Sequence, residues 1–133
     1  MVRPRGGGLF THSTGVTGED VVFGGNTATA GATDGAGTNG AEKADALGGA
    51  LAVGIHGVVE LQGVQATDNV ATGGEAPNGE AGGAFGGALY AEAGTLTVVG
   101  GRLAGNRAVG GDGSNDTTGG SVAQGGAVQV LQS

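Results

Sequence analysis

Apolar side chains along this chain fall two or three places apart, in short bursts separated by glycine. Leu96, Val98 and Leu103, with Gly101 between them, are one such burst, and Thr95-Leu96-Thr97-Val98-Val99 is its densest part. A period of two broken by corners predicts short strands, whereas a helix repeats its stripe at every third and fourth place. Valine, leucine and threonine suit a pleated backbone. Glycine at this density costs a helix about 1 kcal/mol per site relative to alanine.

The bursts recur at long range. Gly48-Gly49-Ala50-Leu51 returns as Gly86-Gly87-Ala88-Leu89 and as Gly125-Gly126-Ala127-Val128, with a looser copy in Gly6-Gly7-Gly8-Leu9. The spacings are 42, 38 and 39 residues. A second motif runs in phase: Phe23-Gly24-Gly25-Asn26, Ala66-Thr67-Asp68-Asn69 and Leu103-Ala104-Gly105-Asn106. Aligned backward from the asparagines, Val16, Val59 and Leu96 form one apolar column. Leu61 and Val98 form another, with Gly18 as its exception, and Val21 and Val64 a third, with Gly101 as its exception.

Two linked motifs at a fixed period indicate a repeat architecture. Three short strands per unit predict an all-β chain folded as a parallel β-solenoid, with three full turns and the start of a fourth. The expected organisation is an N-terminal tail, residues 1–5, and one repeat domain, residues 6–133. Its units are 6–47, 48–85 and 86–124, with a partial unit at 125–133. Stacking then predicts a role for each repeated residue. Leu9, Leu51, Leu89 and Val128 fill the interior one above another, and Phe23, Ala66 and Leu103 do so at the next corner. Gly25, Asp68 and Gly105 supply a corner with positive φ. Asn26, Asn69 and Asn106 form a hydrogen-bonded ladder. The pairs Gly48-Gly49, Gly86-Gly87 and Gly125-Gly126 turn the chain tightly.

Composition narrows the function. Glycine supplies 34 of 133 residues, with 2 prolines and no cysteine or tryptophan. The glycines do not fall at every third place, which excludes collagen. Their phase with the apolar columns argues against a disordered linker. Without cysteine there is no disulfide and no thiolate metal site. The formal charge of −7 disfavours nucleic acid and anionic lipid as partners. No apolar run approaches the roughly 20 residues of a membrane span, so no membrane insertion is expected of this segment. Met1-Val2-Arg3-Pro4-Arg5 lacks the apolar stretch of a secretory signal behind it.

Catalytic groups are sparse. Glycoside hydrolysis needs two carboxyl groups across one cleft, but Glu60 and Glu92 fall on different columns. Lyase chemistry needs a base and a charge-neutralising group. Lys43 lies between motifs, while Arg102 and Arg107 flank Asn106 on what reads as one face. His12 and His56 stand at unequal distances from their glycine pairs and do not align as a metal pair. No enzyme activity and no cofactor are expected. The candidate for an ion is calcium. Gly110-Gly111-Asp112-Gly113-Ser114-Asn115-Asp116 is similar to the glycine- and aspartate-rich nonapeptide of calcium β-rolls, and Asp112, Asn115 and Asp116 offer oxygen ligands. The true pattern uses tandem copies, and here there is one.

The segments Thr27–Leu47, Val70–Phe85 and Arg107–Gln124 vary in length and lack large apolar residues, so they read as loops. They hold seven of the twelve acidic residues, an acidic fringe that keeps a stack soluble.

The alternation of Gly-Gly-Ala-[Leu/Val] with Phe-x-x-Asn resembles the repeat of chlamydial-type polymorphic outer-membrane proteins. The resemblance runs from residue 6 to residue 128. It implies a right-handed parallel β-helix displayed on a bacterial surface or secreted, often as an adhesin or autotransporter passenger. Ala66 and Leu103 depart from the pattern where Phe23 keeps it. On this reading the chain presents loops on a rigid rod to host-cell or surface glycans or proteins. The open ends, such as Val128-Gln129-Val130-Leu131, favour pairing with neighbouring turns or with another copy. The competing reading is a fragment of a carbohydrate-processing β-helix, of the polysaccharide lyase or hydrolase kind.

Overall fold

A computed structural model of the chain describes residues 5–32, 44–77, 81–113 and 121–131. Among the described residues there are strands and no helix. The strands recur in the same order in each unit. The first unit has β1 (Leu9–Thr11), β2 (Gly15–Glu19), β3 (Val22–Gly24) and β4 (Thr27–Thr29). Then come β5 (Ala46–Leu47), β6 (Leu51–Val53), β7 (Val58–Thr67) and β8 (Val70–Thr72). The pattern repeats as β9 (Ala84–Phe85), β10 (Leu89–Glu92), β11 (Thr95–Ala104) and β12 (Arg107–Val109). It begins again with β13 (Ala123–Gln124) and β14 (Val128–Leu131).

Four parallel sheets result, each collecting the equivalent strand of successive units. Their orders are β1-β6-β10-β14, β2-β7-β11 with β3 also on β7, β4-β8-β12, and β5-β9-β13. Pairing equivalent strands in parallel sets like residue beside like. Leu9, Leu51, Leu89 and Val128 are register partners in turn. So are Val16, Val59 and Leu96, and likewise Phe23, Ala66 and Leu103.

The main core lies on one side of the first two sheets. It contains Phe23, Leu51, Val53, Val59, Leu61, Val64, Ala66 and Leu89, with Leu9, Val16, Val21 and Leu96 packed against it. The two exceptions in the apolar columns have steric causes. A Cβ on Gly18 would stand 2.6 Å from Val21 Cγ2 and 3.3 Å from Leu61 Cδ2, so those side chains already fill the place. Gly101 has φ +123, and a Cβ there would meet the Val64 carbonyl oxygen at 2.0 Å.

The segments read as loops turn out to carry structure. Each leaves its asparagine along a strand of the third sheet, β4, β8 or β12, and the described returns follow the fourth sheet as β5, β9 and β13. Between these sheets lies a second core of Ala30, Ala44, Ala46, Ala71 and Ala84, with Ala108 against it. Backbones meet closely beside it. A Cβ on Gly73 would be 2.1 Å from Gly82 O, and one on Gly82 would lie closer still to Ala44 O. Gly74 N–H donates to Ala44 O at 2.9 Å, and Gly82 N–H to Gly74 O at 2.9 Å. Glycine and alanine here are the packing residues of a narrow space, where a larger side chain would force the sheets apart.

A third cluster lies around the glycine pairs. Leu47, Ala52 and Tyr90 are buried together, with Phe85 against them. The Phe85 and Tyr90 rings are 6.4 Å apart and tilted by 52°, a favourable aromatic geometry. In the first unit the equivalent pair is Arg5 over the Phe10 ring, 5.6 Å from its centroid.

Candidate functional site

The chain bends at left-handed residues, and these corners organise the polar groups. Gly6, Gly48, Gly86 and Gly125 have φ of +60, +66, +66 and +63. The corner before each asparagine behaves as the sequence predicts: Gly25, Asp68 and Gly105 have φ of 63, 55 and 64. Two further corners escape the sequence reading. Ser13, His56 and Ala93 have φ of 54, 59 and 50, and Asp20, Gly63 and Gly100 have φ of 50, 63 and 68. Their residue types differ from unit to unit, so no motif marks them. Only the spacing does: Ser13, Asp20 and Gly25 follow Gly6 by the same steps as Ala93, Gly100 and Gly105 follow Gly86.

At two corners an aspartate faces a glycine of the next unit. A Cβ on Gly63 would lie 2.7 Å from Asp20 Oδ1, and one on Gly105 would lie 2.1 Å from Asp68 Oδ1. The carboxylate takes the room that the following residue leaves by having no side chain.

Next to this corner the asparagines form the predicted ladder. The backbone N–H and Nδ2 of Asn26 both donate to Asn69 Oδ1, at 3.0 and 2.9 Å. The same two groups of Asn69 donate to Asn106 Oδ1, at 3.0 and 2.8 Å. Each later amide also reaches back: Asn69 Nδ2 donates to Phe23 O at 2.9 Å, and Asn106 Nδ2 to Ala66 O at 2.8 Å. Asn69 is fully buried. Burying an amide is tolerable only when its donors and acceptor are all engaged, and here the repeat engages them.

The ionisable groups named from the sequence are dispersed. Glu60 lies on β7 beside Thr17 and Thr97, while Glu92 lies on β10 beside Leu131, in a different sheet. Arg102 and Arg107 do not share one sheet: Arg102 pairs with Gln65 on β7 and Arg107 with Val70 on β8. Both are exposed. His56 is an exposed corner residue, and His12 is exposed beside Ser13, 3.1 Å from its Oγ. Of the calcium candidates, Asp112 is exposed and its carbonyl accepts the Ala76 N–H at 2.9 Å. Asn115 and Asp116 lie outside the described residues, as does Lys43. Among the described residues no group of three His, Cys, Asp or Glu side chains is placed to hold a metal ion.

Two open depressions mark the ends of the repeat. One, of about 540 Å³, is lined by Arg5, Gly6, Gly7, Thr27, Ala28 and Thr29 in the first unit. The other, of about 380 Å³, is lined by His56, Gly57, Val58, Ala93, Gly94, Thr95 and Leu131. On the outermost strands β11 and β14, residues of the interior columns reach solvent: Val98, Leu103, Val128 and Val130 are all exposed. The chemistry this arrangement supports is hydrogen bonding, edge pairing and apolar contact. No family model matches the sequence, and neither a curated protein nor a solved structure matches it.

Proposed function

We propose that the four sheets are successive faces of one right-handed parallel β-helix. We further propose that the chain is a non-catalytic segment of a bacterial surface or secreted protein, an adhesive passenger that presents its faces and loops on a rigid rod. One observation carries the reading: equivalent residues of successive units are register partners in every sheet, as from Leu9 through Val128, and the corner asparagines between the sheets bond to one another from Asn26 through Asn106. A chain that spends its repeated residues on stacking builds length, and length with exposed sides is what display requires. The resemblance of the repeat to polymorphic outer-membrane proteins supports the same role and the extracellular setting. Dispersal of the described carboxylates and arginines over different sheets is in keeping with a scaffold.

The test is a binding assay paired with an activity screen. Beads coated with the chain are expected to bind host cells or immobilised surface glycans saturably, with no turnover of acidic polysaccharides. Depolymerisation of a polysaccharide would replace this reading with the carbohydrate-processing one. Absence of binding to cells and glycans would remove the adhesive role. Calcium titrated by calorimetry is expected to give no heat above a salt blank. A saturable heat that Asp112→Asn abolishes would place an ion in the segment containing Asp112.

A further inference from the structure

The chain has two histidines, and the fold brings both to one corner. His12 follows β1 in the first unit, and His56 lies between β6 and β7 in the second. Their unequal distances from the glycine pairs set them apart in the sequence, but the second unit carries one additional residue at this corner. The backbone shows where that residue is taken up. Gly54 N–H donates to Thr11 O at 2.8 Å, which sets Gly54 beside His12, and Ser13 N–H donates to Ile55 O at 3.1 Å, which sets His56 beside Ser13. His12 and His56 are therefore diagonal neighbours on adjacent units. Their α-carbons stand about 6 Å apart, one strand spacing of about 4.8 Å across and one residue of about 3.3 Å along. Neighbours on one face of a helix are about as far apart, and a histidine pair four residues apart on a helix holds zinc from that spacing.

Both side chains are exposed on the flank between the two units, and the ring of His12 is already held. It leans onto the second unit: a Cβ on Gly54 would lie 3.1 Å from His12 Cδ2. Ser13 Oγ donates to Ile55 O at 3.3 Å and stands 3.1 Å from His12 Nδ1. A hydroxyl has one hydrogen. With that hydrogen on Ile55 O, Ser13 Oγ accepts from Nδ1–H, and Nε2 keeps its lone pair for a further partner. A histidine that binds a metal commonly has its other nitrogen fixed in this way. His56 has φ 59 and borders an open depression with Ala93 and Gly94, which leave its ring room to turn toward His12. The charges around the corner are mixed. Arg5 lies over the Phe10 ring, whose centroid is 6.5 Å from that of His12, and Glu60 and Glu92 lie on the adjoining strands β7 and β10.

We propose that His12 and His56 together bind one divalent ion that favours imidazole, of which zinc is the type, and that Ser13 is a positioning residue for His12. Two imidazoles leave the remaining places of a tetrahedral ion to water. The site ties the first unit to the second. It is separate from the segment containing Asp112, and it does not depend on the display role.

Calorimetric titration of the full chain with Zn²⁺ alone, in a buffer that does not chelate it, tests the site. One ion per chain is expected to bind, and an excess of calcium is expected not to displace it, because calcium prefers oxygen ligands. His12→Ala and His56→Ala are each expected to weaken binding at least about tenfold, and Ser13→Ala about tenfold. Ala93 has φ 50 at the same corner of the third unit, so alanine suits the backbone of positions 13 and 56. Absence of a saturable heat overturns the site. Binding that survives either histidine substitution, or that calcium displaces, puts the ion on carboxylates and overturns it too. Half an ion per chain, with a doubled mass in sedimentation, overturns chelation within one chain. Unchanged affinity in Ser13→Ala overturns the positioning role. Should His56→Ala lose the strand spectrum, His56→Asn, which accepts left-handed backbone, carries the same outcomes.

Discussion

Leu61 and Val98 stand in the same column of adjacent strands, yet Leu61 is 2% exposed and Val98 39%. The second unit has a neighbour on both sides, and the third has the second unit on one side and only β13 and β14 on part of the other. Leu51 and Val128 repeat the contrast, at 0% and 37%. In an ordinary globular domain a residue's burial follows from its own element and that element's face. Here it follows from the level, and the same motif residue is core in one unit and surface in another. Stability is therefore concentrated in the second unit, and matched substitutions in the two units should differ.

The largest difference is expected at the glycine pairs. A Cβ on Gly49 would stand 2.0 Å from Gly87 O, a backbone atom that cannot rotate away, whereas the nearest atom to one on Gly126 is at 3.7 Å. Gly49→Ala should cost about 4 kcal/mol or prevent folding, while Gly126→Ala should change stability by under about 0.5 kcal/mol. Urea midpoints at constant m measure both. Equal midpoints would break the comparison. Next come the asparagines. Asn69→Ala strands the Asn26 donors and the Phe23 carbonyl and should cost about 3 kcal/mol, against about 1 kcal/mol for Asn26→Ala, which leaves Asn69 Oδ1 still accepting the backbone N–H of residue 26. Leu61→Ala should cost about 2 kcal/mol or more, and Val98→Ala below about 1 kcal/mol. The smallest effect is expected on the outer face, where Val99 is 60% exposed. Val99→Thr should stay within about 0.5 kcal/mol, and a larger loss would mean that this face is covered in solution.

Much of this was legible in the sequence, for a physical reason. When equivalent strands pair in parallel, the residue that suits a place in one unit suits the same place in the next, and the period becomes visible. That is why the Leu9, Val16 and Phe23 columns, the asparagine ladder and the Gly25 corner could be read in advance. The third and fourth sheets could not. Their interior is Ala30, Ala44, Ala46, Ala71 and Ala84, and alanine between glycines carries no alternation of large and small. What buries those alanines is the close approach of backbones at Gly73, Gly74 and Gly82, a tertiary fact with no local signature. The Ser13, His56 and Ala93 corner was hidden differently: a left-handed place in which three unrelated side chains are accepted, at a cost of roughly 1–2 kcal/mol each. One additional residue before His56 shifts the second unit's phase there. The placement of Arg102 and Arg107 on separate sheets follows from the Gly105 corner between them, which turns the chain from β11 into β12.

The corner aspartates also set a grammar for the order of the units. Asp68 uses the room above Gly105, and Asp20 the room above Gly63. A unit carrying aspartate at such a corner must be followed by one carrying glycine at the same place. A tandem duplication of residues 48–85 would set one Asp68 directly upon another, two like charges in the space of one carboxylate. Duplicating residues 86–124 would set Gly105 upon Gly105 without conflict. Lengthening by recombination is thus open to some units and closed to others, and the permitted grafts can be read from the alternation of two residue types.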